Sequence, residues 1–148
     1  MRFTLKVEWQ RDNGSTSCVE LGTVECGPCR SASDVGLTWT DAKPILRRLQ
    51  EVVIAEQLKS HCQAARWCPG CRRQRPFKDV RKRHFHTTLG AIEFASPRFR
   101  GCRDCGEPPT VAPLSALLPE RTSPELVHLQ AKLATQLPYR QAAALLQE

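Results

Sequence analysis

Cys68-Pro69-Gly70-Cys71 and Cys102-Arg103-Asp104-Cys105 are the stretches whose reading decides the fold of this chain. Each Cys-x-x-Cys can close on one metal ion through a tight turn and offer it two thiolates. Two such knuckles make a tetrahedral four-cysteine site, the usual form of structural zinc. Thirty residues separate Cys71 from Cys102, which is room for a β-hairpin or a small sheet. Within that span Phe85, Thr87 and Leu89 alternate with polar neighbours, and Ile92 and Phe94 alternate again. The pattern predicts two antiparallel strands joined near Leu89-Gly90-Ala91, with Pro97 breaking the second strand and Phe99 leading back to Cys102. So few large apolar side chains lie between the knuckles that a bound metal is expected to supply much of the folding energy.

The cysteines have a competing account as small buried apolar residues, but two evenly built knuckles argue against it. Iron in a rubredoxin-like site is the chemical rival. Such sites are usually acidic and aromatic, whereas this segment is basic and poor in aromatics, so Zn2+ in a structural role is the expected cofactor.

The charge is concentrated in the same place. Between Arg66 and Arg103 there are 11 Lys/Arg and two acidic residues, Asp79 and Glu93, while the rest of the chain holds 11 basic and 13 acidic residues. The formal net charge of +7 is therefore a property of the knuckle-bounded segment. Clusters such as Arg72-Arg73-x-Arg75 and Arg81-Lys82-Arg83-His84 are dense enough to attract phosphates. A solvated basic face is the plainer reading; a metal-held scaffold beneath it favours nucleic acid.

Upstream, Phe3, Leu5, Val7 and Trp9 alternate with Arg2, Thr4, Lys6 and Glu8, the period of a half-buried strand. Asp12-Asn13-Gly14-Ser15 is turn chemistry, and the alternation resumes at Cys18-Val19-Glu20-Leu21, giving a β-hairpin over 2–25. Residues 26–40 read as a connection. Asp41 is placed to cap a helix with Pro44 in its first turn, and Ile45, Leu46, Leu49, Val52, Val53, Leu58 and Cys62 follow helical spacing to about residue 65. That apolar stripe could pack on the hairpin or on a second copy of itself.

Downstream, Pro108-Pro109 and Pro113 read as a linker. Thr122-Ser123-Pro124-Glu125 is a strong helix start, and Leu126, Leu129, Leu133 and Leu137 form one apolar face. Leu137-Pro138-Tyr139 breaks that helix, and 140–147 begins another, the two resembling the first part of a helix-turn-helix. Glu148 falls inside the last helix, so truncation of a longer protein is expected. The architecture read from sequence is thus α+β: a hairpin and long helix (1–66), a four-cysteine zinc ribbon of antiparallel strands (67–107), and a linker with an incomplete helical module (108–148).

At 148 residues, 41% hydrophobic and 25% charged, the chain belongs with globular proteins of one or two small domains. It has no stretch apolar enough to span a membrane and no signal-peptide start. Eight cysteines without such a start point to a reducing compartment, the cytoplasm, where paired Cys-x-x-Cys is read as metal binding before disulfide. Cys26-Gly27-Pro28-Cys29 matches the letters of the thioredoxin redox site, but no helix-forming run follows it and no βαβ pattern surrounds it. A second half-site built with Cys18 or with His61 and Cys62 would draw on distant elements, so unligated thiols are the simpler expectation. His84 and His86 share one strand face among basic residues, which suits a phosphate contact better than a metal. No P-loop or Rossmann glycine pattern is present.

The order of these features resembles the N-terminal region of bacterial DDE-type insertion-sequence transposases of the group named after the Kra element. The residues that carry the resemblance are Thr40-Asp41-Ala42-Lys43, Cys68-Pro69-x-Cys71, Thr88-Leu89-Gly90, Cys102-x-x-Cys105, Leu117-Leu118-Pro119, Ser123-Pro124-Glu125-Leu126 and Leu137-Pro138-Tyr139-x-x-Ala142-Ala143. It covers essentially the whole chain and implies a DNA-binding portion, with the Asp/Asp/Glu catalytic domain of such enzymes lying outside it. Binding of double-stranded DNA at transposon ends is the function this implies, with no catalysis by these residues. Arg72, Arg73, Arg75, Arg81, Lys82, Arg83, Arg98 and Arg100 are then the expected phosphate contacts, which position a protein without reading sequence. The alternative is a zinc-ribbon adaptor whose helix 41–65 binds a protein partner.

Overall fold

The computed structural model describes residues 1–145; Leu146, Gln147 and Glu148, into which the last expected helix ran, lie outside the described residues. The fold is mixed α+β with antiparallel sheets and, among the described residues, four α-helices. The chain divides into two compact units, Met1–Val53 and Ile54–Glu148.

The first unit is built on β1 (Arg2–Gln10) and β2 (Thr16–Glu25), an antiparallel pair in which Val7 faces Val19 and Trp9 faces Ser17. Leu5, Val7 and Trp9 are half-buried while Lys6, Glu8 and Gln10 are exposed, as period-two alternation requires. The register shifts between Leu5 and Lys6, an extra residue that lets the inward face continue to buried Val24. Gly14, at φ 81, closes the turn by donating to the Arg11 carbonyl over 2.8 Å.

Helix α1 (Trp39–Ala64) begins two residues before the expected Asp41. Thr38, not Asp41, is the cap: the Asp41 N–H donates to Thr38 Oγ1 over 3.2 Å, and the Thr38 N–H donates back to Asp41 Oδ2 over 3.2 Å. This is a reciprocal capping box, and it moves Pro44 from the first turn into the second.

The second unit contains β3 (Phe77–Thr87) and β4 (Gly90–Arg100), joined by Thr88–Leu89 with Gly90 at φ 115. The inward face pairs Phe85 with Ile92 and Arg83 with Phe94; the outward face carries Lys82, His84 and Glu93. Pro97 does not end the second strand. It sits opposite Val80, inside β4. Among the described residues no strand borders β4 on its other side until β5 (Thr110–Val111) pairs with Phe99 and Arg100, and proline is tolerated beside such an unpaired edge.

The proline-rich stretch read as a linker therefore forms the third strand, in the order β3-β4-β5, and continues into α2 (Pro113–Leu117). Leu114 is fully buried and packs with Leu58 and Cys62 of α1, bordered by Ile54, Phe94 and Leu118. This is the core of the unit. Helix α3 (Pro124–Gln136) starts as expected: Ser123 Oγ accepts the Leu126 N–H over 3.2 Å, and Pro124 occupies the first turn. After Leu137-Pro138, helix α4 (Tyr139–Leu145) follows. Among the described residues no helix is long and apolar enough to cross a membrane.

Candidate metal centre and basic hairpin

The knuckles stand at the open end of the β3–β4 hairpin, one just before β3 and the other just after β4. In each, the residue after the second cysteine adopts a left-handed backbone: Arg72 at φ 57 and Gly106 at φ 68. In the first, the Arg72 N–H donates to the Cys68 carbonyl and the Cys68 N–H to the Arg73 carbonyl, both over 2.9 Å. In the second, the Gly106 N–H reaches the Arg103 carbonyl and the Glu107 N–H the Cys102 carbonyl, both over 3.1 Å. Gly70 lies so close to the opposite knuckle that a Cβ there would stand 2.9 Å from Cys105 Sγ.

The turns bring Cys68, Cys71, Cys102 and Cys105 together, with all four sulfur atoms within 4.8 Å of one another. A tetrahedral ion at a metal–sulfur distance of roughly 2.3 Å needs sulfurs about 3.8 Å apart, and Cys71 Sγ is 3.5 Å from Cys102 Sγ. The donor set therefore fits a tetrahedral metal ion. Cys68 is buried, Cys71 and Cys102 are half-buried and Cys105 is exposed, so the site is walled on one side and open on the other.

Without metal, Cys71, Cys102 and Cys105 divide their protons unequally. The Arg73 backbone N–H and the neighbouring Cys102 lower Cys71 to about 7. Hydrogen bonding with Cys68, and then with Cys71, raises Cys105 to about 12, and the bond with Cys71 raises Cys102. One thiolate is thus stabilised by donors around it, and a cation that replaced the remaining protons would complete the same arrangement.

A buried ion pair braces the cluster. Arg75 and Glu107 meet through a two-pronged contact, with Nε to Oε2 at 2.8 Å and Nη2 to Oε1 as the second prong. Their side chains are 7% and 13% exposed. The remaining guanidinium nitrogen donates to the carbonyls of Ala65 and Trp67, at the end of α1, while Glu107 accepts the Cys102 N–H over 2.8 Å and lies 3.5 Å from Cys68 Sγ. Arg75 holds the Glu107 carboxyl down to about 2, so this carboxylate stays charged. The helix end, both knuckles and the start of β3 are joined through these two residues. The reading of Arg75 as a phosphate contact overlooked this burial. The available signal was Glu107 itself, an acid two residues after Cys105 at the end of a basic run.

The other expected cations divide into three groups. Arg98 forms a two-pronged pair with Asp79, Nε to Oδ1 at 2.6 Å, and half-buried Arg83 donates to backbone carbonyls of α2 and of the residue after it. Both are engaged within the fold, as Arg75 is. Arg73 pairs with Asp104 and Lys82 with Glu93, each over 2.8 Å, in exposed contacts of the kind that contributes little. Arg72, Arg81 and Arg100 are exposed, as are Arg66, Arg103 and Arg121, which were not nominated from sequence; Arg81 lies near enough to Asp79 to help lower its carboxyl.

The remaining cysteines do not form a second centre among the described residues. Cys62 lies in the apolar core, where burial raises its thiol; Cys18 and Cys29 are exposed, and Cys26 is half-buried. None of the eight forms a disulfide. No family model, curated protein or solved structure matches the chain.

Proposed function

We propose that this chain is a DNA-binding module, the end-recognition portion of an insertion-sequence transposase. In this reading Cys68, Cys71, Cys102 and Cys105 hold structural zinc in a zinc ribbon, and α3 and α4 act as a helix-turn-helix-like pair. The ion supplies a charged cross-link that fixes the open end of the hairpin. The observation that carries the reading is the coincidence of the four-thiol cluster with the basic hairpin and its exposed cations. Those cations would meet backbone phosphates and set position, leaving base readout to the helices. The role assigned to these residues is recognition, not catalysis.

The test is duplex binding followed across salt. Three to six cations neutralising phosphates give a slope of log K on log salt between roughly −2.7 and −5.4. Binding that is absent at low salt from zinc-loaded protein overturns the DNA reading. Preference for a duplex carrying an element's terminal inverted repeat, over a mixed-sequence duplex, tests the transposase part. Zinc content, one ion per chain in wild type and reduced in Cys68→Ser, tests the metal.

A further inference from the structure

We infer that Arg83 is a positioning residue that locks the start of helix α3 to the basic hairpin, so that hairpin and helix meet a duplex as one surface. The consequence for DNA rests on the proposed function; the lock itself rests on contacts within the second unit.

Arg83 lies on the inward face of β3, opposite Phe94. Its Nη1 donates to the Leu114 carbonyl over 2.9 Å and to Ser115 Oγ over 3.3 Å, and its Nη2 donates to the Leu118 carbonyl over 3.0 Å. These acceptors are at α2 and just past its end, where a cation is favoured by the helix dipole; the Leu114 carbonyl also accepts the Leu118 N–H over 3.0 Å. A planar guanidinium can span two carbonyls and a hydroxyl at once; an ammonium cannot hold that fork. To reach a phosphate, Arg83 would have to release all three, and the carbonyl of half-buried Leu118 would lose this donor.

A second contact lies three residues along the same strand. The His86 N–H donates to the Arg121 carbonyl over 2.7 Å, and the Ser123 N–H donates to the His86 carbonyl over 2.8 Å. Thr122 is thereby bridged in parallel to His86 at the edge of β3. Ser123, 5% exposed, is also the cap of α3. The short stretch 118–123 is therefore pinned at one end by Arg83 and at the other by His86, which leaves little slack through which the start of α3 could drift from the hairpin. With only the second pin, the stretch would hang from two backbone hydrogen bonds at a sheet edge.

Two variants separate the lock from a phosphate contact. Arg83→Lys keeps the charge and loses the fork; Arg83→Gln loses both. In free, metal-loaded protein, both should speed amide exchange at His86 and Ser123 by roughly tenfold or more, with the Phe85 and Ile92 amides unchanged. With a short mixed-sequence duplex, Arg83→Lys should weaken binding several-fold while leaving the salt slope as in wild type. Wild-type exchange in Arg83→Lys, together with a slope reduced by about 0.9 in Arg83→Gln, would show a phosphate contact and overturn the inference. Should wild type fail to bind any duplex, the DNA reading falls and the shared surface with it. The exchange rates then still decide whether the lock exists.

Discussion

Gly70→Ala tests the closeness of the two knuckles with one methyl group. The added Cβ would stand 2.9 Å from Cys105 Sγ, 3.4 Å from Cys105 Cβ and 3.9 Å from Cys68 Sγ. Ordinary non-bonded contact lies at roughly 3.5–4.0 Å, so Cys105 Sγ must retreat by about 0.6–1 Å. A metal–sulfur bond tolerates departures of only about 0.2 Å, so the retreat that relieves the clash removes the sulfur from a shared ion. In the metal-free protein the same clash is relieved by turning one exposed side chain. Gly70 is not among the glycines with positive φ, so alanine adds no backbone strain of that kind. The expected result is a metal affinity lowered about 10–100-fold, the range for changes in groups that orient ligands, with metal-free stability unchanged. Competition with a chromophoric chelator measures the affinity, and cobalt substitution reports whether four thiolates still surround the ion. Gly27→Ala, where a Cβ meets nothing within 4 Å, is the control. Wild-type affinity and an unaltered cobalt spectrum in Gly70→Ala would refute the reasoning.

Three further outcomes are expected. Arg72→Gly relieves a left-handed residue that costs about 1–2 kcal/mol in a side-chain-bearing amino acid, against about 0.5–1 kcal/mol for the added freedom of the unfolded chain; thermal stability should hold or rise slightly while the salt slope of DNA binding falls by about 0.9. In metal-free protein at pH 7, Cys71, at about 7, should be alkylated ahead of the more exposed Cys105, held near 12; mass mapping that finds Cys105 first contradicts the assigned proton distribution. Leu114→Ala empties the centre of the core and should cost about 2–5 kcal/mol, roughly 10 °C or more in Tm, with metal stoichiometry unchanged.

The elements legible in the sequence were those whose signal is local. Cys-x-x-Cys spacing foretold the meeting of four sulfurs, alternation placed β1, β2 and the β3–β4 hairpin, and Ser123-Pro124 marked the start of α3. The misses share a cause, since each depends on a partner far along the chain. Thr110–Val111 is too short to show a period and becomes a strand only because β4 offers an edge. Pro108, Pro109 and Pro113 suggest a linker until Leu114 is seen to fill the space beside Leu58. Asp41 and Thr38 each suit a cap, and only their reciprocal bonds separate the roles. Within a basic run, an arginine that braces looks the same as one that binds: Arg75, Arg83 and Arg98 differ from Arg72, Arg81 and Arg100 through Glu107, the α2 carbonyls and Asp79.

Pro97 gives the second unit a safeguard against its own sheet. A strand bordered on one side only is a template onto which another chain can add, and such addition ends in insoluble assemblies. Proline within that stretch of β4 interrupts the row of donors an incoming strand would need. The residue that looks in the sequence like the end of a strand thus keeps a long strand usable, allowing a hairpin to extend from its cysteine clamp without becoming a seed for aggregation.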